Sequence, residues 1–365
     1  MSSAPASDTK ERASRGVGIA SDDAPPLREA WYYAVPSRRL HPGKTLAKVM
    51  LGEPVLLGRT RDGEPFALRD LCPHRGVPLS AGRFDGCEVE CPYHGWRFAP
   101  SGVCVAIPSL VAGQKFNLGR ISVPHYPVHE TNGNIWVYFG TDPDGAPAIP
   151  RLEGFPENAA PDITHSVQLT AGYDHAVIGL MDPGHVPFVH RSWWYRNGRN
   201  FAEKEKAFAP SPYGFTMVRH PTSANSRAYK VLGAAVRETD IVFSLPGVRT
   251  ERTTAGRHAI INMTAMTPLD DGVVEMNHCI YWTMPWLTAL RPALRLFVRN
   301  FLGQDRAALS RQQEGLSHAP QLMLIGDADL QARWYYRLKR EYRRARAEGR
   351  DFANPITERV LRWRS

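Results

Sequence analysis

Residues 72–98 read CPHRGVPLSAGRFDGCEVECPYHGWRF, and this stretch decides what the N-terminal part of the chain is built around. Cys72-Pro-His74 and Cys91-Pro-Tyr-His94 give C-x-H, then sixteen residues, then C-x-x-H. A proline follows each cysteine, and Gly76 and Gly95 close the two motifs, so both read as tight turns. Two thiolates and two imidazoles on adjacent loops can hold zinc or an iron–sulfur cluster. Zinc sites usually pair cysteine with cysteine, whereas here each loop supplies one Cys and one His. That split suits a [2Fe–2S] centre in which two Cys hold one iron and two His the other, with zinc as the alternative. Four ligand-type residues in matching contexts argue against a coincidence of unrelated side chains.

Outward from this stretch the texture is that of β structure. LAKVML (46–51), PVLLGR (54–59) and PFALRD (65–70) read as strands, with Asp62-Gly63 as a hairpin turn. Asn132-Gly133 precedes another, IWVYFG (135–140), and TDPDGAPAIP (141–150) reads as a linker. Beyond it, strand-like stretches near 163–170, 213–219, 239–245, 258–267 and 273–283 mix with helical patterning. The helical stretches cover 173–181, 286–316 with an interruption near Pro292, and 327–347. Strands followed by long helices imply an α+β domain with an antiparallel sheet covered by helices.

A second constellation lies in LMDPGHVPFVH (180–190), where Asp182, His185 and His190 form D-x-x-H-x-x-x-x-H. Residues five apart on a helix point to different sides, so a shared metal requires an irregular turn, which Pro183, Gly184 and Pro187 supply. Two His and one carboxylate, with open positions left over, is the arrangement that binds Fe(II) for dioxygen chemistry. Core or capping histidines are the competing reading.

CPHRGVPLSAGRF (72–84) with CPYHGWRF (91–98), followed about a hundred residues later by the Asp-His-His motif, resembles the Rieske non-haem iron oxygenases over residues 31–365. Respiratory Rieske proteins carry an extra Cys in each loop, where Val77 and Tyr93 stand here. The resemblance implies an arm over 1–26, an all-β Rieske [2Fe–2S] domain over 27–145 and a catalytic mononuclear iron domain over 146–365. It implies that Cys72, His74, Cys91 and His94 hold the cluster, and that His185, His190 and a distant carboxylate hold Fe(II). Asp305, in FLGQDRAAL (301–309) and expected at the start of a helix, is the choice for that carboxylate, with Asp327 and Asp329 as runners-up. Asp182 is then the bridge from His185 to His94 of an adjacent copy, which implies a head-to-tail homotrimer. Gly179 stands where many relatives have Asn.

The activity so implied is that of a terminal oxygenase. It takes single electrons through the cluster and uses O2 to hydroxylate or demethylate an apolar, aromatic or polycyclic compound. Ring cis-dihydroxylation is the alternative, and electron transfer without catalysis is a further one. No G-x-G-x-x-G follows a strand, so NAD(P)H is expected to act only through a separate ferredoxin or flavin reductase. The segment YWTMPWLTALRPALRLFVRNFLG (281–303) reads as a core helix or the wall of a substrate channel, and Trp193-Trp194-Tyr195 as a roof or packing.

Composition sets the outer bounds. Five cysteines in 365 residues exclude a disulfide-stapled mini-protein. Cys87, Cys104 and Cys279 read as small buried apolar residues. Apolar runs far short of a bilayer span lead to the expectation of no transmembrane helix, and residues 1–26 lack a secretory core, so a cytoplasmic location is expected. The formal charge is +9, and residues 333–365 hold eleven basic and four acidic residues, seven of that nine. This basic tail reads as a solvated helix face. With Arg75 and Arg97 it is also a candidate for steering an acidic ferredoxin, rather than a nucleic-acid signature.

Overall fold

The computed structural model describes residues 17–18, 25–114, 116–190, 202–221 and 238–365. Five longer strands frame the first part: β1 (Ala30–Pro36), β2 (Lys44–Met50), β3 (Glu53–Arg59), β4 (Pro65–Arg69) and β5 (Asn134–Phe139). β2, β3 and β4 pair in antiparallel order, and β5 lies between β1 and the short strand Val128–Thr131. The strands read at 46–51, 54–59, 65–70 and 135–140 are β2 to β5 to within a residue or two. A third sheet of two- and three-residue strands, Arg83–Phe84, Val89–Glu90, Arg97–Phe98 and Cys104–Ala106, carries the two Cys-His loops.

The second part is one antiparallel sheet of eight strands. In chain order they are β6 (Ile163–Thr170), β7 (Glu203–Ser211), β8 (Gly214–Pro221), β9 (Glu238–Ser244), β10 (Val248–Ala255), β11 (His258–Asp270), β12 (Val273–Trp282) and β13 (Arg359–Arg364). In space they run β6-β12-β11-β10-β9-β8-β7-β13. β7, β10 and β13 were not legible beforehand, because EKEKAFAPS, VRTERTTA and RVLRWR are dominated by charged and polar residues.

This sheet is a middle layer. Ile261, Met263, Ala265, Cys279 and Tyr281 on one face pack against Tyr33 and Trp136 of the first part. Met266, Met276, Phe215 and Phe243 on the other face lie under α1 (Tyr173–Met181) and α4 (Leu330–Glu348). Coverage on both faces explains why β11 reads as a nearly unbroken apolar run rather than an alternating one. The fold is therefore α+β, an all-β unit followed by an antiparallel sheet covered by helices.

α4 corrects the reading of the basic tail as a solvated face. Trp334, Tyr335, Leu338, Tyr342 and Ala345 bury one side of it. Lys339, fully buried, donates to both oxygens of Asp174 on α1 at 2.6 Å, and the Tyr335 hydroxyl donates to the same carboxylate at 2.6 Å. Much of the remaining charge is also used within the chain: Arg344 and Arg350 on Glu341, Arg359 on Asp327, and Arg362 on Glu205. Val17–Gly18, inside the expected arm, pairs with Met323–Leu324. The rest of 1–24 lies outside the described residues, as does Trp193-Trp194-Tyr195. Cys104 and Cys279 are buried as expected, but Cys87 is exposed, on the turn between Arg83–Phe84 and Val89–Glu90.

Candidate metal centres

The two Cys-His loops are built alike. In each, the glycine four residues after the cysteine adopts positive φ, 70° at Gly76 and 69° at Gly95. Its N–H returns to the cysteine carbonyl at 2.8 and 3.1 Å, and the cysteine N–H reaches the fifth residue's carbonyl, Val77 or Trp96, at 2.9 and 2.8 Å. Only glycine takes that left-handed position without strain, which is why each motif ends in one. Cys72 and Cys91 are buried, and the rings of His74 and His94 lie 4.5 Å apart. His74 stacks on Trp96 with ring planes 4° apart, while His94 is exposed beside Tyr93. Burial, with Cys91 alongside, pushes the Cys72 thiol up. Desolvation, with His94 and Arg75 nearby, holds His74 below its ordinary value.

His74 Nδ1 is buried without a hydrogen-bond partner. An orphaned imidazole nitrogen beside two buried thiols is the donor set that an iron–sulfur cluster uses, so these residues fit one.

The second constellation depends on a helix that stops and restarts. Asp182 precedes Pro183 and is extended (ψ 116°), which ends α1. One turn, α2 (Val186–Val189), then forms with Pro187 in it, His185 just before and His190 just after. This break is the irregular turn that the five-residue spacing required. α3 (Arg291–Leu316) brings the carboxylate. Among the described residues, His185, His190 and Asp305 are the group whose ligand atoms all lie within 4.8 Å of one another. Asp305 Oδ1 is 3.2 Å from His190 Nε2 and 3.7 Å from His185 Nε2.

Asp305 lies in the middle of α3, not at a helix start as expected, so a capping role for it is excluded. Pro292 falls in the first turn of α3, where a missing N–H is harmless, so the interruption near it is the helix beginning. The runners-up are elsewhere: Asp327 pairs with Arg359, and Asp329 accepts from the Ile325 N–H at 2.6 Å just before α4. The segment 281–303 is divided between β12, a short 3₁₀ turn and α3, and is no single core helix. Only Val298 and Leu302 of α3 are buried, and Leu296 is largely exposed.

Each histidine has its own support. His190 is 1% exposed, stacks on Phe301 at 3.7 Å, and has Nδ1 at 3.0 Å from Gln304 Oε1. Asp182 Oδ2 is 3.7 Å from His185 Nδ1, and its other oxygen accepts from the Gly184 N–H at 2.6 Å. Burial alone would lower the His185 pKa, but Asp182 and Asp305 outweigh it and raise the ring above its ordinary value. Burial pulls Asp182 up, and His185 with the Gly184 N–H more than offsets that, leaving it below the usual carboxylate range. Two imidazoles and one carboxylate, with positions left open, fit a mononuclear iron.

Residues 30–127 match the Rieske [2Fe-2S] domain family. The chain is 35% identical over 191 residues to chlorophyllide a oxygenase of Chlamydomonas reinhardtii, covering 51% of this chain and 28% of that protein. It is 28% identical over 317 residues to 4beta-methylsterol monooxygenase of Methylococcus capsulatus, covering 80% and 81%. The N-terminal part is thus a Rieske domain, and the relatives that the chain resembles are named as oxygenases. It spans well under half the length of the first curated relatives that it matches. Dicamba monooxygenase bound to dicamba has the same fold, with a TM-score of 0.68 at 22% identity over 89% of this chain and 99% of that one.

The sequence motifs did not point to three side chains around the triad: Gln304, His278 and His165. Gln304 is next to Asp305 in sequence, so adjacency to the chosen carboxylate was the available signal. His278 shares the apolar phase of β12 with Met276 and Ile280, and a histidine on an otherwise apolar strand phase was the only hint of it. His165 lies on β6 at the wall of an open cleft of about 1060 Å³ between that strand and α3. Phe301 and Gln304, which touch His190, line the same cleft. No described helix is long and apolar enough to cross a membrane.

Proposed function

We propose that the chain is a terminal oxygenase component. It would accept electrons at a Rieske cluster and use O2 at a mononuclear iron to hydroxylate or oxidatively demethylate an apolar aromatic or polycyclic compound. The observation that carries this is the presence, in one chain, of both the paired Cys-His loops and the His185–His190–Asp305 group. A protein that only relayed electrons would have no use for the second. The names of its relatives give chlorophyllide a, a methylsterol and dicamba as the compounds they act on, which supports a ring-containing substrate.

In this reading Cys72, Cys91, His74 and His94 hold the cluster, and His185, His190 and Asp305 hold the iron. When bound, the two groups supply single electrons and dioxygen activation. The chain's own residues do the rest. Gln304 fixes the ring of His190, and the Asp182 carboxylate, 3.7 Å from His185 Nδ1, raises the basicity of that ring. Asp182 is about one-third exposed and His94 lies at the surface, so both are available to a second copy. A head-to-tail homotrimer, with Asp182 against the partner subunit's His94, makes use of both. A separate ferredoxin or flavin reductase is the electron donor.

The test is anaerobic reduction by a surrogate reductase, followed by oxygen and a library of ring compounds, with product-coupled oxygen consumption as the readout. With ¹⁸O₂, one labelled atom in the product identifies monooxygenation and two identify ring cis-dihydroxylation. An intact, reducible cluster with no oxygen consumption on any compound would reject the oxygenase reading in favour of electron transfer alone.

A further inference from the structure

The helix-covered face of the eight-stranded sheet changes character across its strands. Antiparallel register aligns His165, His278, Thr264 and Arg249 in one row that continues into Phe243 and Phe215. The adjacent row includes Asn262 and Glu251. Phe215 and Phe243 meet Trp334 and Tyr335 of α4, as a face under helices should. Toward β6 the same face turns polar, where burial of polar groups is unfavourable without partners.

This polar patch lies beside the triad. His278 feels the charge of Asp305 as well as those of Arg249 and Glu251. Its Nδ1 is 2.8 Å from the Thr264 hydroxyl. Arg249 donates to Glu251 at 2.8 Å, with both side chains about three-quarters buried or more, so their charges balance. Burial, with Arg249 adding to it, drives His278 down to about 4, which leaves the ring neutral at neutral pH. Among the described residues the patch is thus rich in hydrogen-bonding groups, with the Arg249 charge matched by Glu251. His165, at the end of the row and paired with His278, lines the cleft between β6 and α3. Among the described residues only one of the five N–H donors of Arg249 is engaged, by Glu251.

We propose that His278, Thr264 and Arg249 form a subsite for a neutral oxygen, a carbonyl or hydroxyl, carried by the ring compound that this chain oxidises. A bare hydrocarbon leaves the donors without a partner, and a carboxylate finds Arg249 already neutralised by Glu251. This rests on the oxygenase reading above and narrows its substrate class.

Three small ring probes of similar size separate the cases: toluene, acetophenone and benzoate, titrated into the protein with cluster and iron loaded. Acetophenone should bind about ten-fold tighter than either of the others. In His278→Leu, and separately in Arg249→Met, its advantage over toluene should fall to about two-fold or less, with cluster absorption unchanged to show that the fold is intact. Equal affinities for the three probes, including no measurable binding, overturn the proposal. So does benzoate binding tightest, or an acetophenone preference that survives both variants. Metal analysis comes first. A wild-type chain that takes no iron at the triad rejects the oxygenase reading and this subsite with it, whereas one that binds iron but ignores the probes rejects the subsite alone.

Discussion

Gln304→Leu removes a single acceptor from a nearly sealed site. His190 is 1% exposed, and its Nδ1 has the Gln304 oxygen at 3.0 Å. With Nδ1 held by Gln304, Nε2 is the ring atom left for a metal, and it lies 3.2 Å from Asp305. Leucine is similar in volume but leaves the Nδ1–H buried without a partner, a loss of about 1–3 kcal/mol. Nothing then holds the proton at Nδ1, and at Nε2, where Asp305 can accept it, the proton blocks a metal. The expected result is a metal affinity about 10–100-fold weaker, the range seen when the outer partner of a ligating histidine is lost. The assay is anaerobic titration of the iron-free protein with Fe(II) or Co(II) against a competing chelator, with cluster absorption as the control for folding. Gln304→Glu keeps an acceptor in place and should bind at least as tightly as wild type. A leucine variant within about two-fold of wild type, with its cluster intact, would refute the reasoning.

Cys91→Ser should abolish the visible absorption and the reduced-state EPR signal of the cluster while the triad still binds Co(II). Asp182→Asn should leave both metals bound and lower turnover about 100-fold or more, because a neutral amide cannot act as a charged bridge; retained turnover would reject the bridge. Lys339→Met leaves Asp174 buried without its cation and should cost about 3–5 kcal/mol in urea unfolding, with part of that recovered in the Asp174→Asn, Lys339→Met double variant. His278 sets a pH window. Its folded-state pKa of about 4 lies below the ordinary 6.5, so the unfolded chain binds the proton first. Its contribution is complete above pH 6.5 and falls by up to about 3 kcal/mol as the pH drops toward 4. His278→Gln should flatten the stability profile between those values, and an unchanged slope would show that the ring is not buried neutral.

How much was legible depended on how local the physics is. The cluster loops could be read because a turn of five or six residues decides its own geometry: proline after the cysteine, glycine at the positive-φ position, and ligands between. β2 to β5 were legible for the same reason, as apolar runs punctuated by turn residues. β7 and β13 were not, since they lie at one edge of the large sheet and are largely charged. α4 was legible as a helix but misread as to its role. Its buried face carries Lys339, whose place is understandable only once Asp174 is seen opposite.

The sequence by itself determined the ligand types, the two Cys-His turns and the helix break at Asp182-Pro183, all properties of consecutive residues. It also pointed to Asp305, though through resemblance and with the wrong position in its helix. Only the tertiary structure decided which carboxylate meets His185 and His190, because 115 residues separate Asp305 from His190 and no spacing rule spans a sheet. It alone placed Gln304 on His190 and aligned His278, Thr264 and Arg249 on three neighbouring strands. Register across a sheet is set by the packing of whole strands, so a row of side chains drawn from distant segments exists only after they have paired.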